Sequence, residues 1–170
     1  MMFILLLCGA LAMAGGGASA PQKNTAVGFH MDTVITLTGY CDQALLSRAI
    51  ELCGEYEKLL SRTVEGSDIW NINHSEGKPV EVSGDTAEVL SIALDVCEKS
   101  GGALDITIAP AVDLWDFKSG EAVLPPEADM AAAMERVDYT EVTLQGNMVA
   151  LPNGMEIDLG AVAKGYIADK

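Results

Sequence analysis

The stretch EIDLGAVAKGYIADK, residues 156–170, reads as the end of a strand, a glycine turn and the first turns of a helix. A helix beginning near Gly160 would show its free N–H groups and the positive end of its dipole to the turn, a ready site for an anion such as a phosphate. Gly160 removes the Cβ that would block close approach, and Lys164 adds a cation one turn later. The same spacing also suits an ordinary strand-to-helix connection, with Asp158 near an N-cap and Lys164 in solvent.

Upstream, strands and helices alternate with no internal repeat and no low-complexity linker. Residues 141–144 and 148–151 form a predicted hairpin around Gln145, Gly146 and Asn147, and Asn153-Gly154 turns the chain into the strand that ends at Asp158. Residues 126–137 read as a short helix, and residues 85–100 as a longer one ended by Gly101 and Gly102. Residues 80–82 make a short strand, while residues 61–73 (SRTVEGSDIWNIN) are polar around Gly66 and read as a loop. From residue 43 to 61, Leu45, Leu46, Ala49, Ile50, Cys53, Tyr56 and Leu60 recur at three- and four-residue steps, which predicts the longest helix. Residues 27–38 (VGFHMDTVITLT) are rich in β-branched side chains and read as an opening strand or hairpin, broken by Gly39. The fold class is α+β, with strands that tend to pair antiparallel.

One further segment, residues 103–117 (ALDITIAPAVDLWDF), stands out. Alternation puts Asp105 and Thr107 on one face of an extended strand, where they could hold the edge of a polar ligand. Set against this, Asp105 suits the cap of a turn and Trp115 suits a place in the core, which is the reading preferred for Trp115.

Composition narrows the setting. A chain of 170 residues with 49% apolar content suits one globular domain with an aliphatic core. Its formal charge of -15 excludes a nucleic-acid surface and sets a repulsive field against any polyphosphate, which would need a metal ion as companion. Residues 1–20 (MMFILLLCGALAMAGGGASA) hold no charged residue and read as a targeting segment. They form a secretory signal ending at the Ala18-Ser19-Ala20 triplet, a lipoprotein signal at Cys8, or an uncleaved membrane anchor, and each version places the body, residues 21–170, outside the cytoplasm. Cys41, Cys53 and Cys97 show no C-x-x-C spacing and no nearby histidines, so they read as buried thiols rather than zinc ligands or a disulfide framework.

Four motifs then stand in register. The Met31-Asp32-Thr33 opening, the loop LSRTVEGSDIWNIN at residues 60–73, DITIAPAVDLWDF at residues 105–117 and IDLGAVAKGYIADK at residues 157–170 follow one another in this order. In order and spacing they resemble the FAD:protein FMN transferases, the ApbE-like flavin transferases once described as thiamine-biosynthesis lipoproteins. The resemblance runs from about residue 31 to residue 170 and covers the first half to two-thirds of what the family normally contains. It implies an α+β flavin-transferase fold, mainly antiparallel strands with packed helices, truncated at the C-terminus.

The activity the resemblance implies is extracytoplasmic. An enzyme of this kind binds FAD, cleaves its pyrophosphate with the help of magnesium, and attaches FMN through a phosphoester to a threonine or serine of an acceptor protein, such as a subunit of a membrane redox complex. AMP is the leaving product. By motif position, Met31, Ala103, Leu104, Asp105, Asp158 and Lys164 look like FAD contacts, and Ala161 corresponds to a backbone ligand of the metal. Thr63 falls where many members place an aromatic residue that packs on the flavin, so stacking from this loop would need the nearby Trp70 as a substitute. The family's other metal ligands and a histidine-containing motif lie downstream; His30 and His74 do not match it and read as surface or strand residues, which leaves the catalytic side chains unassigned.

The chemistry suits these residues on its own terms. In-line attack on a pyrophosphate builds charge on phosphoryl and leaving oxygens, so catalysis rests on positioning and on electrostatic stabilisation by a metal and fixed donors. One backbone carbonyl at Ala161 cannot hold magnesium alone. Two other classes remain beside the transferase: a non-catalytic extracytoplasmic flavin- or nucleotide-binding module, which would bind FAD without transferring FMN, and a surface interaction domain, which would not bind FAD. Neither accounts for four motifs in order.

Overall fold

The computed structural model describes residues 22–115, 117 and 124–170. The segment 1–20 with Cys8, read as a signal or anchor, lies outside the described residues. No helix among the described residues is long and apolar enough to cross a membrane.

The chain opens with a hairpin, β1 (Asn24–His30) and β2 (Thr33–Gly39), paired antiparallel from Asn24 opposite Gly39 to His30 opposite Thr33. Met31 and Asp32 form its two-residue turn, both with φ at 53°, the left-handed geometry that matches the twist of a tight hairpin. Alternation sends Val27, Phe29 and Val34 outward, while Ala26, Ile35 and Leu37 turn toward the long helix α1 (Gln43–Leu60). The hairpin lies very close on that helix. A Cβ at Gly28 would collide with Ile50 Cγ2, and one at Gly54 would come within 2.8 Å of the His30 ring, so both surfaces need glycine at the crossing.

After α1 the loop predicted over residues 61–73 holds only in its first half. Residues Asp68–Asn73 form a helix, α2. The local reason is a cap and a buried pair: the Ser67 hydroxyl accepts the Trp70 N–H at 3.0 Å, and Ile69 and Ile72, three residues apart in a polar run, are fully buried. A two-residue strand, β3 (Val80–Glu81), leads to α3 (Gly84–Lys99), capped by Ser83 and closed by Gly101 and Gly102 at positive φ. Asp68 ties the two helices together, its Oδ2 accepting both the Ser83 N–H and the Thr86 hydroxyl.

Next come α4 (Ala109–Val112), a 3-10 turn over Asp113–Trp115, α5 (Glu127–Met134) and a second 3-10 turn over Tyr139–Glu141. The predicted hairpin follows as β4 (Thr143–Gln145) and β5 (Met148–Ala150), and β5 also pairs antiparallel with β3, giving the order β3-β5-β4. The last element is α6 (Ala163–Asp169). The core gathers Leu60, Ile69, Ile72, Val89, Leu90, Ile106, Val149, Ile157 and Leu159 between the helices and this sheet. The architecture is α+β with antiparallel sheets, as the patterning requires.

Two other expectations are corrected. Trp115 does not fill the core; it is 38% exposed and lies parallel to the Phe117 ring at 6.3 Å. The small residues Ala109, Pro110 and Ala111 of α4 take the interior positions, and the chain leaves the core before it reaches the tryptophan. Cys53 and Cys97 are buried free thiols, and burial pushes both up from the ordinary thiol value, but Cys41 is only half-buried.

Candidate functional site

The carboxylate of Glu57, in the last turn of α1, fixes the hairpin turn. Its Oε1 accepts the Met31 N–H at 2.8 Å, and its Oε2 stands 3.1 Å from His30 Nδ1. Held there, Met31 borders a cleft of about 340 Å³ between the inner face of β2, helix α1 and helix α6. Ile35 and Leu37, Leu52 and Ile167 supply apolar walls, and Lys164 and Lys170 also line it, the Lys170 ammonium being held by Glu88 at 2.7 Å. The cleft thus combines an apolar floor with cations, the surface that an aromatic ligand carrying phosphate requires.

Beside α6 the carboxylate of Asp158 organises the turn that leads into the helix. Its Oδ1 accepts the Gly160 N–H at 2.6 Å, and a Cβ on Gly160 would come within 2.9 Å of that oxygen. The glycine therefore admits an internal carboxylate, and the N–H expected to be free for an external anion is already bonded. The helix also starts later than residue 160: the Leu159 carbonyl accepts from both Val162 N at 2.9 Å and Ala163 N at 2.8 Å, a tight turn that delays α6 to Ala163. Lys164 is exposed in the first turn of that helix, and Ala161 is exposed in the turn before it.

The other oxygen of Asp158 accepts from Arg62 Nε at 2.8 Å, and the same guanidinium donates to both oxygens of Asp113, at 3.1 and 2.5 Å. The hydrogen bonds to Asp113 come first among the causes that raise the Arg62 pKa further, followed by the charges of both carboxylates, against the opposing effect of burial. Sequence reasoning passed over Arg62, Asp113 and Glu57. Arg62 lies within one of the four motifs, but its partners stand 51 and 96 residues away, and nothing in local spacing announces them.

The Asp105 segment is not an extended strand. Asp105 Oδ1 accepts the Thr107 N–H at 2.8 Å and the Thr107 hydroxyl at 2.6 Å, closing a side-chain turn, and Oδ2 accepts the Tyr139 N–H at 3.0 Å. Thr107 Oγ1 in turn accepts the Asp138 N–H at 2.9 Å. The pair thus joins two stretches of the fold, and the capping role weighed for Asp105 is the one it has. Ala103 is exposed, and Leu104 packs against the core. The strand predicted to end at Asp158 is only a single parallel bridge, Ile108 to Glu156, and the Asp158 N–H donates to the Ile106 carbonyl at 2.8 Å, so this segment runs beside the approach to Asp158.

Thr63 is exposed, its hydroxyl 3.1 Å from Ser61 Oγ. Trp70, the candidate substitute for an aromatic there, stacks on His74 at 4.0 Å instead. The structure brings Met31 and Lys164 to one cleft and sets Asp158 one turn before Lys164, while the carboxylate of Asp105 bonds within the fold. A metal fits less well. Among the described residues no group of three or more His, Cys, Asp or Glu could hold an ion, and Asp158 is engaged by Arg62, so the Ala161 carbonyl is a lone hard oxygen.

Residues 31–170 match the profile described as the ApbE family. The FAD:protein FMN transferase of Klebsiella pneumoniae (strain 342) is 35% identical over 133 residues, which are 76% of this chain and 42% of that relative. That of Treponema pallidum (strain Nichols) is 34% identical over 136 residues, 75% of this chain and 38% of the relative. Among solved structures, the ApbE protein of Thermotoga maritima superposes with a TM-score of 0.79 at 25% identity, covering 87% of this chain and 50% of the other. The flavin transferase ApbE from Vibrio cholerae gives a TM-score of 0.77 at 25% identity, covering 87% of this chain and 51% of the other. The matched span is therefore about half the length of these proteins or less.

Proposed function

The chain belongs to the ApbE family, and from that membership we propose that it supplies FAD-binding residues of an FAD:protein FMN transferase. The observation that carries this reading is the meeting of Met31 and Lys164, from opposite ends of the matched span, at one cleft with apolar walls. In this reading the flavin end of FAD meets apolar surface near Met31, Lys164 faces the pyrophosphate, and Asp158 holds the turn between them in shape.

The reaction proposed is an in-line displacement. A threonine or serine hydroxyl oxygen of an acceptor protein bonds to the FMN phosphorus, the bond from that phosphorus to the bridging oxygen breaks, AMP leaves with the electron pair, and the hydroxyl proton passes to solvent or a base. Lys164 would stabilise the charge that builds on the phosphoryl oxygens. Magnesium belongs to the proposal through electrostatics: a chain of net charge -15 repels a pyrophosphate, and a divalent cation would offset that repulsion. The described residues do not complete a site for it. FAD binding is proposed for the chain itself, and FMN transfer for the chain together with whatever supplies the remaining span of its relatives. We also propose an extracytoplasmic setting, from the uncharged segment at residues 1–20.

Titrating the chain with FAD at fixed ionic strength, with and without magnesium, tests the reading. FAD should bind, and magnesium should tighten it by roughly fivefold or more through charge compensation. Equal affinities would remove the metal from the proposal, and no binding under either condition would remove FAD.

A further inference from the structure

The geometry points to Arg62 as the residue that positions the Asp158–Gly160 turn for the proposed ligand, because one guanidinium clamps three separate segments at once. Nε holds Asp158 Oδ2 at 2.8 Å, and the two terminal nitrogens hold Asp113 at 3.1 and 2.5 Å. Arg62 itself sits just past the end of α1, so the loop that carries Thr63, the 3-10 turn that carries Asp113 and the approach to α6 are joined through a single side chain. This inference rests on the proposed FAD reading for its functional meaning, but not for its geometry.

A planar fork with donors on two edges is what makes the arrangement work. The guanidinium spans Asp113 with its two terminal nitrogens and turns Nε to Asp158, which a lysine ammonium on a flexible stem cannot reproduce. With Oδ2 fixed by Arg62, the Asp158 carboxylate is oriented so that Oδ1 meets the Gly160 N–H at 2.6 Å. Asp158 then acts by shaping the turn, and Arg62 acts through Asp158. Arg62 is half-buried, its side chain 21% exposed, so the clamp is shielded from much of the solvent that weakens surface ion pairs.

The test reads the turn directly and FAD separately. Amide hydrogen exchange at Gly160, followed by NMR in the ligand-free chain, should accelerate roughly tenfold in Arg62→Ala, while the amides of α3 and β5 keep their parent rates. Arg62→Lys should recover only part of the protection, since it keeps the charge and loses the fork. Asp113→Asn, which leaves Arg62 and Asp158 in place but weakens the anchor, should give a smaller acceleration in the same direction. FAD affinity in magnesium should fall in the same rank order.

Parent-like exchange at Gly160 in Arg62→Ala overturns the inference whatever FAD does. If that variant loses protection throughout, Asp113→Asn decides, and unchanged Gly160 exchange there is equally fatal. Faster exchange at Gly160 with unaltered FAD affinity would uphold Arg62 as the positioning residue and remove the turn from the FAD site, so the two claims fail separately.

Discussion

Asp105 and Asp158 look alike in the sequence, each an acidic residue inside a motif between a leucine and an isoleucine, yet their surroundings give them different work. Asp105 accepts from Thr107 twice and from Tyr139, all within the fold. Asp158 meets one backbone N–H and one guanidinium in a turn that opens toward Lys164. Lys164 is the residue with the clearest ligand prospect, since it is exposed at the cleft and no side-chain hydrogen bond of it is found among the described residues. Lys164→Ala should weaken FAD binding by about ten- to a hundredfold, on the order of 1.5–3 kcal/mol for a charge-assisted bond to phosphate, with the thermal midpoint unchanged. Affinity equal to the parent in a titration would take Lys164 out of the site.

At the scale of elements, α2 shows how one cap can override a polar stretch. Ser67 is buried, accepts the Trp70 N–H at 3.0 Å and donates to the Ser61 carbonyl at 2.5 Å. Ser67→Ala should therefore destabilise the chain by about 1 kcal/mol, within the range for lost N-caps, measured as a lower denaturant midpoint at constant slope. Helix α6 depends on charge as well as packing. Tyr166 packs edge-on against Tyr56, and its hydroxyl reaches Glu88 at 2.6 Å and Asp85 at 3.0 Å, with Lys170 Nζ 2.7 Å from Glu88.

These contacts predict opposite behaviour at the two ends of the pH scale. The Lys170 hydrogen bond, then that of Tyr166, hold the Glu88 carboxyl below its usual range, so its contribution is full above the ordinary carboxylate pKa, about 4.3, and is lost as pH falls through the lower folded value. Burial first, then the bond to Glu88, push the Tyr166 phenol up; its contribution is full below the ordinary value of about 10 and is lost as pH rises through the folded one. Burial also pushes the Tyr56 phenol up, so alkaline titration by phenolate absorbance should show an amplitude above the ordinary tyrosine range that falls by one tyrosine in Tyr166→Phe. An undiminished amplitude in the variant would assign it elsewhere.

For the molecule as a whole, the cleft has a floor and two walls drawn from β2, α1 and α6, and the chain spans 42% of the Klebsiella relative and 38% of the Treponema one. Among the described residues no group of three or more His, Cys, Asp or Glu stands close enough to hold an ion, and in-line displacement at a pyrophosphate needs a positioned one. Incubated with FAD, magnesium and a threonine-bearing acceptor, the 170-residue chain acting alone should leave no covalent flavin fluorescence on the denatured acceptor. A labelled acceptor that depends on the chain would show that these residues suffice.

Features set by local spacing were legible along the chain. The three- and four-residue apolar steps of α1, the glycines closing α3, the hairpin at Gly146-Asn147 and the α+β order follow from patterns a few residues long, and so do the motifs that mark the family. Tertiary structure alone decided the rest, because those outcomes depend on partners far apart in the chain. Trp115 stays at the surface since smaller residues fill the interior before it, Asp105 is bonded by Tyr139 from 34 residues away, and Arg62 finds Asp113 and Asp158 only after three segments have folded together. A carboxylate's role is set by which donors the fold brings to it, and that information lies in long-range packing rather than in its neighbours along the chain.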